Sequence, residues 1–319
     1  MRRSFFFCVA ALLCIALCAD EYSHYYLPVT NKPAAAAEDE ALPDMAMIPL
    51  VKGAQYDMYI IGEASQAYTA RRWISPFALN SCETTYRLWY LVRQWAEARG
   101  YTFVSAGQEG SAGRYGREPT TAGSAQPVTR ISWYDAVVWL NALSERQGLQ
   151  PCYTYQGRVL RDSGDTAALD LCECNWRASG YRLPSESEWE YAARKQKNGF
   201  ASGALASGQS LAADDSDKVA WTESNADGTR PVGILRANAA GFYDMSGNVL
   251  EFCWDWAADY EETNTAARYT GPNVGSARVS RGGSWSEYTL FYCTGDRYYY
   301  DPNECYDYMG FRIAQTLLE

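Results

Sequence analysis

Three segments of the chain repeat apolar side chains every three or four positions, which predicts amphipathic helices. They cover residues 83–99, 132–146 and 185–194. Ser132 and Ser185 begin the second and third segments, and each is followed three positions later by an acidic residue, the spacing of a helix N-terminal cap. Gly100 and Gly148 follow the first two segments, as expected where a helix ends.

Strand signals surround these helices. Residues 44–62 alternate between apolar and polar side chains and are rich in aliphatic and aromatic types, which predicts two strands. After Lys195 the chain is dominated by Gly, Asn, Asp, Trp and Tyr, with short strand signals between turn residues. The pattern predicts an α+β domain with few helices, short strands and much irregular loop.

The first 44 residues have a different composition. Arg2 and Arg3 precede an apolar stretch at 4–17 that is too short for a comfortable membrane span and ends before Cys18. This pattern predicts a bacterial lipoprotein signal with acylation at Cys18; Cys14 is the other candidate, and a secretory signal or an uncleaved anchor is the alternative. The predicted organisation is a signal peptide at 1–17, a flexible tether rich in Ala, Pro and acidic residues at 18–44, and a folded domain at 45–319.

Charge and histidine content exclude several classes of function. The formal net charge of −10 argues against nucleic acid or an anionic membrane surface as the main partner. His24 is the single histidine, and it lies before the predicted domain. Ser-His-Asp hydrolysis and metal sites built from several histidines are therefore excluded. Contact with a membrane is expected only through the lipid anchor.

The most informative segment is 281–312, where a glycine- and tryptophan-containing frame encloses a run rich in Tyr, Asp and Asn. Tyrosine offers a large rigid contact area with a polar tip, and short polar residues supply adaptable hydrogen bonds, as in antibody binding sites. Three consecutive tyrosines cannot all face one side of a strand, and Asp301-Pro302 predicts a turn, so several rings should be exposed. The predicted ligand-binding residues, in a segment at about 286–308, are Ser286, Tyr288, Thr289, Tyr292, Asp296, Tyr298, Tyr299, Tyr300, Asp301, Asn303, Cys305, Tyr306, Asp307 and Tyr308.

The residue types of this segment carry a second signal. Tyr, Asp, Ser, Thr, Gly and Cys are all reached from an Asn codon by changing its adenines. Adenine-directed mutagenesis of an Asn-rich template would therefore leave this composition behind. The alternative interpretation is an aromatic strand and loop packed into the core.

Five ordered motifs resemble one known family. Residues 127–136 are similar to its PV-x-x-V-S-W-x-D-A pattern, and residues 181–194, YRLPSESEWEYAAR, match its longest motif almost position for position. Residues 238–252 match N-A-x-G-L-Y-D-M-x-G-N-V-W-E-W, while 278–285 and 310–312 complete the set. The chain thus resembles the formylglycine-generating-enzyme, or sulfatase-modifying-factor, domain family over nearly the whole predicted domain. The resemblance implies a C-type-lectin-like fold of the formylglycine-generating-enzyme type.

The catalytic groups of that family are missing. Its oxidases bind copper through two cysteines that follow the Gly-Gly-Ser sequence and lie five positions apart. By spacing from Ser284, these positions fall on Glu287 and Tyr292, and neither is cysteine. A loop shift that moved Cys293 into register would still leave it without a partner. The histidines needed by the family's iron-dependent sulfoxide synthases are missing too, so the expected protein is not an enzyme and needs no catalytic cofactor.

A family scaffold whose catalytic segment has become rich in Tyr, Asp and Asn resembles the variable proteins diversified by retroelements, in particular the lipoprotein type from Treponema. This resemblance implies a monomeric receptor or adhesin at the bacterial cell surface, lipid-anchored in the outer membrane. Its expected ligand is a protein or another surface molecule. The alternative is a formylglycine-generating oxidase, or a related modifying enzyme, with an altered site.

The resemblance also raises the question of a structural metal. Asn225, Asn248 and Glu251 fall on segments that bind calcium in some family members, and their oxygens suit Ca²⁺. The alternative is that these residues only hold the loop-rich half of the domain together by hydrogen bonding.

The cysteines allow one disulfide. An odd number, seven, follows Cys18, which leaves at least one free thiol in an exported protein. Cys152 and either Cys174 or Cys172 flank a hairpin-like segment with turn residues at 163–165, so a disulfide is expected there.

The residues that frame the tyrosine-rich segment are expected to be structural. Trp285 and Phe311 are predicted to be buried, and Arg281 and Arg312 are predicted to pair with acidic groups inside the fold. The other tryptophans expected in the core rather than at a ligand are Trp221, Trp254 and Trp256.

Overall fold

The fold is taken from a computed structural model that describes residues 40–51, 53, 56–63, 68–211, 215–262, 267–287 and 292–318. All of these residues belong to one folding unit, residues 35–319. Within them, no helix combines the length and the apolar character that crossing a membrane requires. The predicted leader, Cys18 and most of the predicted tether lie outside the described residues.

Capping residues determine where the helices begin. The described residues contain the α-helices α1 (Tyr86–Glu97), α2 (Trp133–Arg146), α3 (Thr166–Asp170) and α4 (Glu186–Arg194). The hydroxyl of Thr85 accepts a hydrogen bond from the Leu88 amide and starts α1. Ser132 and Ser185 form complete capping boxes at α2 and α4. The three helices predicted from periodicity are confirmed, with α1 starting three residues later than its apolar pattern.

Fifteen short strands account for the β structure of the described residues. They are β1 (Met47–Leu50), β2 (Asp57–Glu63), β3 (Tyr68–Ile74), β4 (Phe77–Asn80), β5 (Gln108–Glu109), β6 (Val128–Thr129), β7 (Tyr153–Tyr155), β8 (Arg158–Val159), β9 (Glu173–Cys174), β10 (Tyr181–Arg182), β11 (Leu250–Trp256), β12 (Arg278–Arg281), β13 (Tyr298–Tyr300), β14 (Met309–Phe311) and β15 (Ala314–Thr316). The two strands expected at 44–62 are β1 and β2, and the predicted α+β class with few helices and much loop is confirmed.

Two four-stranded sheets organise the domain. Sheet 1 has the order β1-β4-β15-β10, and sheet 2 has the order β13-β12-β11-β14. In sheet 2, β11 pairs parallel to β14 and antiparallel to β12. The chain passes from sheet 2 to sheet 1 at residues 312–313, between β14 and β15. Because β14 pairs with β11, sheet 2 places the C-terminal motif at 310–312 beside residues 250–252.

Aromatic packing forms the larger core, between α1, α2 and sheet 2. Trp89 and Trp139 stack with ring centroids 5.4 Å apart. Phe311 is fully buried and meets both rings edge-on, with centroids 6.2 and 5.5 Å away. A second core lies between α4 and the β2-β3 hairpin and includes Tyr59, Trp189 and other apolar residues. The predicted burial of Phe311 is confirmed.

Buried ion pairs lock the frame of the tyrosine-rich segment. Arg312 and Glu251 are both fully buried, and the guanidinium donates to both carboxylate oxygens, with Nη2 2.6 Å from Oε1 and Nε 2.9 Å from Oε2. Arg281 pairs with Glu190 and lies 3.2 Å from Glu186. Pairing of both arginines with internal acids is confirmed. A buried ion pair is costly to break, because the partner is left charged and without compensation.

One local prediction holds in part and another is wrong. Residues 163–164 form the expected turn and Asp165 caps α3, but the hairpin turn of the 152–174 segment lies at Gln156-Gly157 between β7 and β8, where both residues have positive φ. All seven cysteines of the described domain are free thiols, including Cys152, Cys172 and Cys174, so the expected disulfide is not formed. Helix α3 is inserted in this segment, which a simple hairpin pattern does not accommodate.

Two further residues differ from expectation. Trp285 is only half-buried, and its indole Nε1 is buried without a hydrogen-bond partner in the described structure, so the predicted full burial is wrong. Leu42, assigned by sequence to the tether, packs against the larger core, and the Glu40 carbonyl accepts a hydrogen bond from Arg146. The described structure thus has ordered contacts from Glu40 onward.

Candidate ligand-binding site

The three consecutive tyrosines form β13, the edge strand of sheet 2. Tyr298, Tyr299 and Tyr300 pair with Ser280, Val279 and Arg278 of β12. The middle ring is 50% exposed, whereas its two neighbours are half-buried against the larger core. Alternation along the strand explains this difference, because successive side chains point to opposite faces. The expectation of exposed rings holds for Tyr299 and only in part for its neighbours.

Two tyrosines after the turn join β13 to make an aromatic surface. Tyr306 and Tyr308 stack with centroids 4.9 Å apart and ring planes 5° from parallel. Tyr300 meets these rings at 6.0 and 6.5 Å in tilted or edge-on geometry. We refer to Tyr300, Tyr306 and Tyr308 as the tyrosine face; Tyr299 points to the opposite side of β13. The three side chains of the face retain solvent exposure, so the described structure brings these predicted site residues together.

The turn between these tyrosines is held by its own side chains. The Asp301 carboxylate accepts hydrogen bonds from the backbone and side-chain nitrogens of Asn303, at 2.9 and 3.0 Å. The Asp301 amide donates to Glu304 Oε2 at 3.1 Å, and the Tyr306 hydroxyl donates to Glu304 Oε1 at 2.9 Å. Asp301 and Asn303 are exposed, and the predicted turn is confirmed. The loop thus presents its polar groups in a fixed arrangement.

Arg297 anchors the start of β13 to the domain. Its guanidinium donates to both oxygens of the buried Glu186, at 2.5 and 2.8 Å, and lies 4.0 Å from the ring centroid of Tyr260. Tyr299 lies 5.2 Å from the same guanidinium on the exposed side. The only basic residue of the tyrosine-rich segment therefore holds the strand in place, a role that composition alone did not reveal.

Several other predicted site residues are not exposed contacts. Tyr292 is buried in a small cluster with Ala206, Val219 and Ala220, so the prediction that its ring belongs to the displayed surface is wrong. Tyr288 and Thr289 lie outside the described residues.

The remaining predicted residues are half-buried and have partners. The Ser286 hydroxyl lies 3.0 Å from that of Ser284, and Asp296 Oδ2 accepts a hydrogen bond from the Cys293 amide at 3.0 Å. Asp307 forms a 3.7 Å ion pair with Arg130. Cys305 is half-buried and forms no disulfide in the described structure. Glu304, which bonds to Tyr306, and Arg130, which pairs with Asp307, were not indicated by the sequence.

The positions that align with the family's copper ligands have other chemistry here. Glu287 is half-buried, and burial together with the nearby Glu223 raises the pKa of its carboxyl. The Cys293 thiol donates to the Ala204 carbonyl at 3.2 Å, and burial raises its pKa to about 12. A thiol with a raised pKa is a poor source of the thiolate that binds a soft metal. The described residues at this place do not fit a two-thiolate copper site.

The three calcium candidates are already committed to hydrogen bonds. Glu251 is neutralised by Arg312 through its two oxygens. The side-chain oxygens of Asn225 and Asn248 each accept a hydrogen bond from a backbone amide at 2.9 Å. A dication next to the Arg312 guanidinium would also be repelled. These residues therefore do not fit a calcium cradle, and among the described residues no group of three or more His, Cys, Asp or Glu side chains converges as metal ligands.

Comparisons with known proteins identify the family and the fold type of the domain. The family model described as "Sulfatase-modifying factor enzyme 1-like domain" matches residues 32–317. The solved structure named Treponema denticola variable protein 1 superposes with a TM-score of 0.68 and 28% identity, covering 85% of this chain and 95% of that chain. The predicted fold type is confirmed by this match.

Curated relatives match over shorter stretches. The chaperone protein LppX from Paenibacillus barcinonensis is 34% identical over 51% of this chain, and the formylglycine-generating enzyme from Thermomonospora curvata is 28% identical over 63% of it. The chain spans 60% and 61% of the lengths of these two proteins.

Proposed function

The chain belongs to the sulfatase-modifying factor enzyme 1-like domain family, and from that premise we propose that it is a surface-displayed ligand-binding lipoprotein rather than an enzyme. In this proposal it acts as a receptor or adhesin, and its ligand contacts the tyrosine face. A retroelement that changes adenines diversifies the segment at about 286–308 and so alters ligand specificity.

One observation carries this proposal. A tyrosine-rich segment occupies the place of the family's catalytic cysteines, and Tyr300 of the edge strand β13 forms a partly exposed face with Tyr306 and Tyr308. Exposed tyrosines on a rigid scaffold give contact area at low entropic cost. Arg297 and the buried ion pairs fix the scaffold beneath that face. The similarity to Treponema denticola variable protein 1 supports the variable-protein part of this proposal.

Sequencing the same locus from several isolates tests the diversification. Amino-acid changes are expected at Tyr299, Tyr300, Tyr306 and Tyr308. The underlying nucleotide changes should be concentrated at adenine positions of the corresponding template codons. The frame residues Arg281 and Arg312 should be constant. Changes spread evenly over residues 45–319, or an invariant 286–308 segment, would show that the segment is not diversified.

A separate prediction concerns anchoring. Because the apolar leader ends before Cys18, we propose that this residue carries the lipid anchor of the mature protein at the outer membrane. The Cys18→Ser form should lose palmitate labelling and leave the membrane fraction, while a Cys14→Ser form should keep both properties. Membrane association of the Cys18→Ser protein would rule out this anchor.

The rival function is a formylglycine-generating oxidase or related modifying enzyme with an altered site, because curated relatives carry that name. Glu287 and Tyr292 stand where the resemblance places the thiolates, so the purified protein should bind no copper tightly. It should also leave a Cys-x-Pro-x-Arg peptide unconverted to formylglycine. A family oxidase assayed in parallel provides the positive control, and turnover by this chain would favour the rival.

A further inference from the structure

The surroundings of the tyrosine face are acidic. Five carboxylates lie in residues 286–308, whereas Arg297 is the only basic residue there. Its charge is already neutralised by Glu186, and the nearby Arg130 pairs with Asp307. Arg297 and Arg130 are therefore engaged within the protein. The face thus has an excess of negative charge that the ligand can compensate.

Two of these carboxylates act directly on the aromatic rings. Burial and the negative charges of Glu287 and Glu304 raise the pKa of Tyr300, although its hydrogen bond with Tyr308 opposes this. The same carboxylates raise the pKa of Tyr308 beyond the effect of burial and of Tyr300. No ion pair involving Glu287 or Glu304 is found among the described residues. The rings of the face therefore lie in the field of two carboxylates without basic partners.

Aromatic rings and carboxylates together favour one class of ligand. The faces of the stacked Tyr306–Tyr308 pair carry the negative side of the ring quadrupole, which attracts a guanidinium or ammonium group. Glu304, hydrogen-bonded to Tyr306, adds a fixed carboxylate beside that pair. An acidic protein surface or a nucleic acid would instead be repelled by Glu287, Glu304 and Asp301.

We propose that the tyrosine face binds a basic segment of a partner protein, with a lysine or arginine side chain over the Tyr306–Tyr308 pair and in contact with Glu304. This inference rests on the proposed function, because it assigns the chemistry of the ligand to the same face. It also implies that diversification changes the shape of an acidic aromatic surface. The negative charge of that surface would attract basic partners. Binding should weaken as salt is added, since the attraction includes screened charges.

An unbiased selection tests the ligand class. A random peptide display library is panned against the full chain and, in parallel, against the Tyr306→Ser/Tyr308→Ser double variant, whose thermal midpoint checks folding. Peptides enriched only by the unchanged chain should be rich in lysine and arginine. Face-dependent peptides that are neutral or acidic would overturn the basic-ligand inference and leave ligand binding standing. Enrichment that is the same for both proteins would overturn ligand binding at this face as well.

A second measurement removes charge with little change of shape. The enriched arginine peptide is compared by calorimetry with its citrulline counterpart, which keeps the size and loses the charge. Glu287→Gln and Glu304→Gln should each lower the affinity for the arginine peptide by about threefold to fivefold. The affinity for the citrulline peptide should be unaffected. Glu173→Gln, at an exposed acid on β9 of another sheet, is the matched control and should change neither affinity. Equal binding of the two peptides would contradict the proposal.

Discussion

Replacing Arg312 with Met is expected to lower the free energy of unfolding by about 3–5 kcal/mol, because it strands the charge of Glu251 in the core. Three backbone carbonyls would lose their donor as well, those of Asn80, Ser81 and Tyr243. Both partners of the ion pair are fully buried, so water cannot replace the lost hydrogen bonds without opening the structure. The measurement is a denaturant midpoint and slope for the variant beside the unchanged chain.

The chain offers a matched control for this prediction. Arg87 forms a 3.3 Å ion pair with Glu40, and each side chain is about half exposed, at 51% and 48%. Arg87→Met should therefore change the free energy of unfolding by less than about 1 kcal/mol. Similar losses for the two variants would mean that the Arg312–Glu251 pair does not hold the frame.

Truncating Phe311 to Ala should cost about 3–5 kcal/mol, because the fully buried ring packs edge-on against both Trp89 and Trp139. The matched change on the exposed side of β13, Tyr299→Ser, should cost no more than about 0.5 kcal/mol, since half of that side chain is already in solvent. Tyr298→Ser and Tyr300→Ser should fall between these values, because both rings pack against the core. Thermal and denaturant midpoints of the variants give the order of their losses in free energy of unfolding.

Ligand affinity should follow the opposite order. A change at the centre of a binding surface can cost more than about 2 kcal/mol of binding, so Tyr306→Ser should abolish most of the affinity for a selected peptide. If Tyr299→Ser unfolds the domain as severely as Phe311→Ala, β13 is part of the core and the ligand binds elsewhere.

Sequence patterns predicted the regular elements well, since local chemistry specifies them. The capping boxes of Ser132 and Ser185 are short-range interactions that depend on residues three positions apart. The pairing of Arg281 and Arg312 with internal acids was also predictable, because an arginine within a conspicuous apolar motif needs a partner. What the sequence could not provide was the identity of the partners, which lie far away in the chain.

The errors concern exposure within loops. Trp285 and Tyr292 lie outside regular elements. There, neither the two-residue period of a strand nor the 3.6-residue period of a helix indicates which side chains are buried. Glu304 was overlooked because its role depends on a turn that brings it against Tyr306 and the Asp301 amide. In the sequence Arg297 stands out only as the one basic residue of the segment 286–308, and the position of Glu186 reveals it as an anchor.

The location of Arg312 would have a mechanical consequence in the proposed tethered adhesin. The tyrosine face is attached to sheet 2 through β13, whereas β1, the first strand after the proposed tether, belongs to sheet 1. Tension between a bound partner and the cell would have to cross from one sheet to the other. The chain makes that crossing at Arg312, whose guanidinium joins Glu251 of β11 to the carbonyl of Asn80 at the end of β4. At Arg312 the tension would act on the covalent chain and on buried hydrogen bonds together. The connection between the two sheets is therefore expected to resist extension rather than to bend like a hinge.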